Sequence, residues 1–434
     1  MALHLRHQVD VSLNRQGLIR RRDFLRGISA ASIAAGTLSW RDLVTLEAAE
    51  LQQRGMACIL LWMQGGPSPF ETFSPKPGHP NGGETKAIGT SVSGIEISEN
   101  FPHAAKVMHE AALIRSMTSK EGSHPRASYL LHTGYLPTAS VKYPAFGSIV
   151  AQQVSHSQLE LPAFVRIGGG NNQNGSGGGI LGVEFDPFLM PVAGKLPTNT
   201  ATTTDVPRYN RRLELLGRLE ADYASSGAKE EVAEHQKLYQ KASRMILSSQ
   251  MKAFDLDHEP ATMREGYGSS QFGLGCLLAR RLVETGIPCV EVALNGWDTH
   301  FDNFPRVKEM AGQVDQPLAF LIADLKQRGM LDKTLVVWMG EFGRTPKINP
   351  RAGRDHYPRA FNVLLAGGGV QGGRVIGKTD EGGADVTDRP VNVPDLFQTF
   401  CKSLQINPKA ENIAPNGRPI KIVDGGNVVS ELFA

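Results

Sequence analysis

The chain has 434 residues and a formal charge of +3, from 46 Lys and Arg against 43 Asp and Glu. Its 41% hydrophobic content is enough for a sizeable core and excludes a disordered chain. Without the first 50 residues the charge falls to about +1, with no basic stripe, so nucleic acid is excluded as a partner.

The first element in chain order reads as an export signal over residues 1–50. Arg20-Arg21-Arg22-Asp23-Phe24-Leu25-Arg26 is a twin-arginine pattern, and a weakly apolar Ala/Ser/Gly-rich segment follows over residues 27–38. That segment is too short and too polar to span a bilayer, which takes about 20 apolar residues. The pattern predicts a periplasmic or cell-surface protein, cleaved near residues 47–50, with no transmembrane segment in the mature chain. The alternative is a basic amphipathic helix on a cytoplasmic protein.

Residues 51–434 read as one domain. Strands are predicted at 56–63 (MACILLWM), 163–167, 290–294, 334–339 (TLVVWM) and 361–366 (FNVLLA). Runs apolar on both faces suit interior parallel strands covered by helices. Helices are predicted at 269–284 and 305–328, each with an apolar face and a closing glycine; Pro317 is a candidate kink. Their alternation with strands predicts a three-layer α/β/α sandwich with a mainly parallel, doubly wound sheet. Residues 168–260 read as an insertion: a flexible Gly-rich loop at 168–179, then charged helices at 208–222 and 229–254. Cys58, Cys276, Cys289 and Cys401 lack C-x-x-C spacing and read as buried thiols, with a disulfide as the alternative.

The chemistry-bearing residues fall just beyond strands. Asp298 and His300 follow the 290–294 run, Glu341 follows 334–339, and His356 lies in a Gly-Arg-Asp-His turn. Ligands of open α/β sheets gather beyond the carboxyl ends of the strands. A mixed carboxylate and imidazole set suits a divalent metal, although each residue taken alone also reads as a cap or a satisfied histidine. Ser123-His124-Pro125-Arg126 opens a further helix. Ser123 is an N-cap or a nucleophile, Thr118 a weaker nucleophile candidate, and Arg126 an anion clamp or a surface partner. Gln64-Gly65-Gly66-Pro67-Ser68 is a turn where backbone can approach a ligand. No Walker A, G-x-G-x-x-G or G-x-S-x-G pattern stands at a suitable strand end.

In this order the segments resemble a bacterial family of exported, sulfatase-like proteins, domain of unknown function family 1501, within the alkaline-phosphatase-like superfamily. The likeness rests on Gln64-Gly65-Gly66-Pro67-Ser68, Ser123-His124-Pro125, Gly296-Trp297-Asp298-Thr299-His300, Gly340-Glu341-Phe342-Gly343-Arg344 and Gly353-Arg354-Asp355-His356. It implies a metal-dependent hydrolase of sulfate or phosphate esters, acting on a small-molecule or polysaccharide substrate. Asp298, His300 and His356 would be metal ligands, and Glu341 a ligand or base. Ser123 or His124 stands at the nucleophile position. The ion would be Zn, Ca, Mn or Mg. Gln64 and Phe342 replace an Asp and a His of the superfamily pattern, which points to one metal rather than two. The same departures suit a rival reading, an inactive fold that binds a polysaccharide or a protein outside the cytoplasm.

Overall fold

The computed structural model describes residues 55–156, 159–169, 177–197, 200 and 204–434. The expected export signal and residues 170–176 of the glycine-rich loop lie outside the described residues.

Among the described residues nine strands build the central sheet: β1 Ala57–Gln64, β2 Ala111–Thr118, β3 Phe164–Gly168, β4 Phe188–Met190, β5 Cys289–Asn295, β6 Thr334–Met339, β7 Phe361–Ala366, β8 Arg374–Ile376 and β9 Val391–Asn392. Their order is β8-β2-β7-β6-β1-β5-β3-β4, with β9 also paired to β2. All pairings are parallel except those of β7, which runs antiparallel to both β2 and β6. The longer helices are α1 His124–Thr133, α2 Phe146–Val154, α3 Val206–Ser225, α4 Lys229–Leu247, α5 Gln271–Glu284, α6 Asn303–Gln327 and α7 Val393–Leu404.

Strand pleating sends alternate side chains to opposite faces. On β1, Ile59, Leu61 and Met63 pack with Leu278 and Leu282 of α5 and Leu318 of α6. Cys58 and Trp62 point the other way, into a cluster with Ile149 of α2 and Phe397 of α7. A sheet apolar on both faces is stable only when helices cover both. This is the expected three-layer α/β/α arrangement around a mostly parallel sheet. No helix among the described residues is long and apolar enough to cross a membrane.

Two expectations need correction. β7 was expected to run parallel, and it is reversed. An interior strand buries both faces whichever way it runs, so composition carries no direction. The helix expected over 229–254 stops at Leu247, where Ser248 caps a separate short turn, Ser249–Phe254, by accepting from the Gln250 amide. Pro317 sits inside α6, which continues through it to Gln327. All four cysteines are buried and unpaired.

Candidate metal centre

The parallel strands deliver their following residues to one edge of the sheet. Gly65 and Gly66 follow β1, Asp298 and His300 follow β5, and Glu341 follows β6. The segment after β2 leads through Gly122 and Ser123 into α1, which opens on His124. His356 arrives differently: it precedes β7, and because β7 is reversed its amino end lies at this same edge. A short antiparallel pairing places His356 opposite Arg344.

Four side chains converge there. The Nε2 atoms of His300 and His356 lie 3.0 Å apart, and 3.2 and 3.3 Å from Asp298 Oδ1. His124 Nε2 lies 3.4 Å from Asp298 Oδ2. It is buried and has no well-formed hydrogen bond. The donor atoms of His124, Asp298 and His356 all fall within 4.8 Å of one another.

Each imidazole is held from behind. His124 Nδ1 is 2.6 Å from Glu341 Oε1, His300 Nδ1 is 2.7 Å from Asp355 Oδ1, and His356 Nδ1 is 2.7 Å from the Gly122 carbonyl. A carbonyl only accepts, so His356 carries its proton on Nδ1. A carboxylate imposes the same tautomer on a neutral His300 and His124. In the neutral rings all three Nε2 lone pairs then face the Asp298 carboxylate.

Glu341 is fully buried. Its oxygens accept from the Gly65 amide at 3.0 Å and the Gly66 amide at 3.2 Å, as well as from His124. Those amides stand free because Gly65 and Gly66 have positive φ, +119° and +74°. A Cβ on Gly65 would meet the Asp298 amide nitrogen at 2.4 Å, so close approach of the β1 and β5 loops requires glycine there. Glu341 therefore reaches the cluster through His124.

The buried Arg344 fastens the other side. It donates to Asp298 Oδ1 at 2.5 Å, to the Gly66 carbonyl at 2.8 Å and to the Arg354 carbonyl at 3.1 Å, and it also contacts the Gly65 carbonyl. Burial works against the Asp298 carboxylate, but its contacts with His124 and His356 and the hydrogen bond from the Arg344 guanidinium outweigh it and hold its pKa far below the usual range. Burial likewise lowers the His124 pKa, and the neighbouring carboxylates of Asp298 and Glu341 overcome that and raise it to about 9. Without a metal ion, His124 is therefore an imidazolium between two carboxylates at neutral pH.

Ser123 occupies the N-cap of α1, yet its hydroxyl makes no capping bond, and the residue is exposed. Arg126 forms a two-pronged exposed pair with Glu121, both contacts at 2.9 Å, and its guanidinium is thereby engaged outside the cluster. Thr118 hydrogen bonds weakly to the Val391 carbonyl at 3.4 Å. The Phe342 ring packs against both His124 and His356, with centroids 4.9 and 4.6 Å away. Sequence reasoning missed Arg344, Asp355 and the Gly122 carbonyl as anchors. Asp355 had a signal, a carboxylate adjacent to a candidate ligand; a backbone carbonyl has none.

The sequence profile of the family described as Protein of unknown function (DUF1501) matches residues 56–433. The chain belongs to this family. No curated protein matches it. Among solved structures, this DUF1501 chain is similar to the PsFucS1 sulfatase from Pseudoalteromonas sp., at 15% identity and a TM-score of 0.39, covering 84% of this chain and 71% of that one. It is similar to a protein in the alkaline phosphatase superfamily from Vibrio parahaemolyticus, at 11% identity and a TM-score of 0.37, covering 92% and 80%. It is also similar to the phosphonate monoester hydrolase of Agrobacterium radiobacter, at 12% identity and a TM-score of 0.33, covering 87% and 77%. These likenesses are distant, and the chemistry of the site rests on its own geometry.

Proposed function

We propose that the chain is a metal-dependent hydrolase of sulfate or phosphate esters. One divalent ion would be held by Asp298, His300, His356 and His124. The observation that carries this reading is the shared pose of three imidazoles, each fixed through Nδ1 and aimed by Nε2 at one carboxylate. Two lone pairs facing each other across 3.0 Å, as in His300 and His356, repel unless a proton or a metal ion lies between them. A tetrahedral ion with bonds of ~2.0–2.1 Å keeps its ligand atoms about 3.3 Å apart. His300, His356 and Asp298 Oδ1 lie 3.0 to 3.3 Å from one another, and His124 lies 3.4 Å from Asp298 Oδ2. Three imidazoles and one carboxylate favour zinc or another first-row ion over calcium or magnesium.

A bound ion would supply a Lewis acid for the ester oxygen. The chain's own residues do the rest. Glu341, Asp355 and Gly122 orient the imidazoles, as partners behind ligating histidines commonly do. Arg344 holds Asp298 in place and offsets part of the local negative charge. Ser123, with an uncommitted hydroxyl at the positive end of α1, is the nucleophile candidate. Phe342 offers no donor atom beside His124 and His356, which supports one ion and not a pair. Arg126 serves as an anion clamp only if it leaves Glu121.

The substrate would be a small-molecule or polysaccharide ester met in the periplasm or at the cell surface, after export by the Arg20-Arg21 signal. Mass spectrometry of the secreted chain checks this part, with a mature N-terminus near residue 50 expected.

The test of the whole reading is metal analysis after equilibration with Zn, Mn, Ca or Mg and dialysis, followed by aryl sulfate and aryl phosphate assays. About one equivalent of one metal is expected, with activity lost in Asp298→Ala and His300→Ala. Less than about a tenth of an equivalent of every metal contradicts it. A stoichiometric metal without ester hydrolysis would favour the binding-module reading.

A further inference from the structure

α3 is unlike every other long helix of the fold. None of its 20 residues is buried. It packs along α4, which in turn contacts the Val183–Phe185 and Ser249–Phe254 turns. The inner face of α3 carries Leu213 and Leu216, which are partly covered. Its outer face carries Leu215, Leu219 and Tyr223, exposed at 58, 62 and 63%. Their spacing of four residues puts them in one stripe along the helix. An apolar stripe of this kind, open on a soluble surface, marks an interaction face.

The charges beside the stripe say what covers it. Arg211 and Arg212 lie toward the amino end and Asp222 toward the carboxyl end. All three are exposed, and neither Arg212 nor Asp222 forms an ion pair among the described residues. These positions are symmetric about Gly217. If two copies of α3 pack antiparallel through their outer faces, with a two-fold axis at the level of Gly217, Leu215 of one meets Leu219 of the other. Arg212 then meets Asp222. Each contact occurs twice, as an isologous interface requires. Arg–Asp contacts are favourable there.

We propose that the outer face of α3 is a homodimerisation surface, paired antiparallel with α3 of a second copy in the Arg212–Asp222 register. Two 20-residue helices, each about 30 Å long, bury an area at the low end of specific interfaces, so the dimer dissociates on dilution.

Sedimentation equilibrium of the full chain across a concentration series tests this. The wild type is expected to interconvert between monomer and dimer. Arg212→Asp and Asp222→Arg each weaken the dimer about tenfold or more, and the double reversal restores it. Leu219→Glu abolishes it. The circular dichroism spectrum of each variant stays that of the folded wild type, because every altered residue is exposed. A wild type that is monomeric throughout overturns the proposal. So does a dimer indifferent to the single reversals, or single reversals that the double variant fails to rescue. A monomer that sediments with anionic phospholipid vesicles assigns the stripe to a membrane and likewise overturns it.

Discussion

At the scale of single residues, the candidate centre is a matter of tautomers. His356 faces a carbonyl through Nδ1 and must donate there, so its Nε2 is a lone pair when the ring is neutral. Glu341 does for His124 what Gly122 does for His356, with a charge added. Glu341→Gln keeps the size of the side chain and can still accept from Gly65, but it removes the negative charge from behind the imidazole. Loss of such an anchoring partner costs about 10–100-fold in metal affinity. Isothermal titration with zinc is expected to show that loss in Glu341→Gln while the protein remains folded. An unchanged affinity would reduce Glu341 to a structural residue. Much of this was legible in the sequence: Asp298, His300, Glu341 and His356 all meet at one edge. The role of Glu341 was not, because whether a carboxylate touches a metal or touches a ligand depends on a few ångströms, and Gly65 and Gly66 set that distance through backbone amides.

At the scale of elements, β3, β5 and α1 are locked by a buried ion pair away from the centre. Glu291 of β5 receives Arg166 of β3 at 3.0 Å, and His132 of α1 approaches at 3.5 Å. Burial penalises the Glu291 carboxylate, but Arg166 and His132 outweigh that and hold its pKa at about 2. A depressed carboxylate contributes stability that is present above its unfolded pKa, about 4.3, and is lost as pH falls toward 2. Glu291→Gln leaves a buried arginine without its counter-charge, which costs about 3–5 kcal/mol. Urea melts of the two proteins are expected to differ by that amount at neutral pH and to converge between about pH 4 and pH 2. Curves that stay parallel through acid would show that the pair contributes nothing. Element boundaries were read well where apolar runs are unbroken, as in β1 and β6. β2 escaped notice because Arg115, Ser116 and Thr118 interrupt its pattern. α7 escaped although Asn392 and Asp395 form a capping box around Pro394, a local signal present in the sequence.

At the scale of the whole molecule, one topological feature gathers the site. Parallel strands bring Gly65, Asp298 and Glu341 to a common edge, and the reversal of β7 brings His356 there from the opposite chain direction. A parallel β7 would leave His356 at the far end of the sheet. Periodicity could not announce this, since a strand buried on both faces looks the same in either direction. The histidine cluster and the reversed strand thus depend on each other.

Anomalous diffraction at the zinc edge, from crystals grown with zinc, tests this arrangement most directly. A single peak is expected beside Asp298, about 2.0–2.2 Å from Nε2 atoms of His124, His300 and His356. Well-ordered crystals with no peak at that cluster, and with the His300 and His356 rings still facing one another, would contradict it.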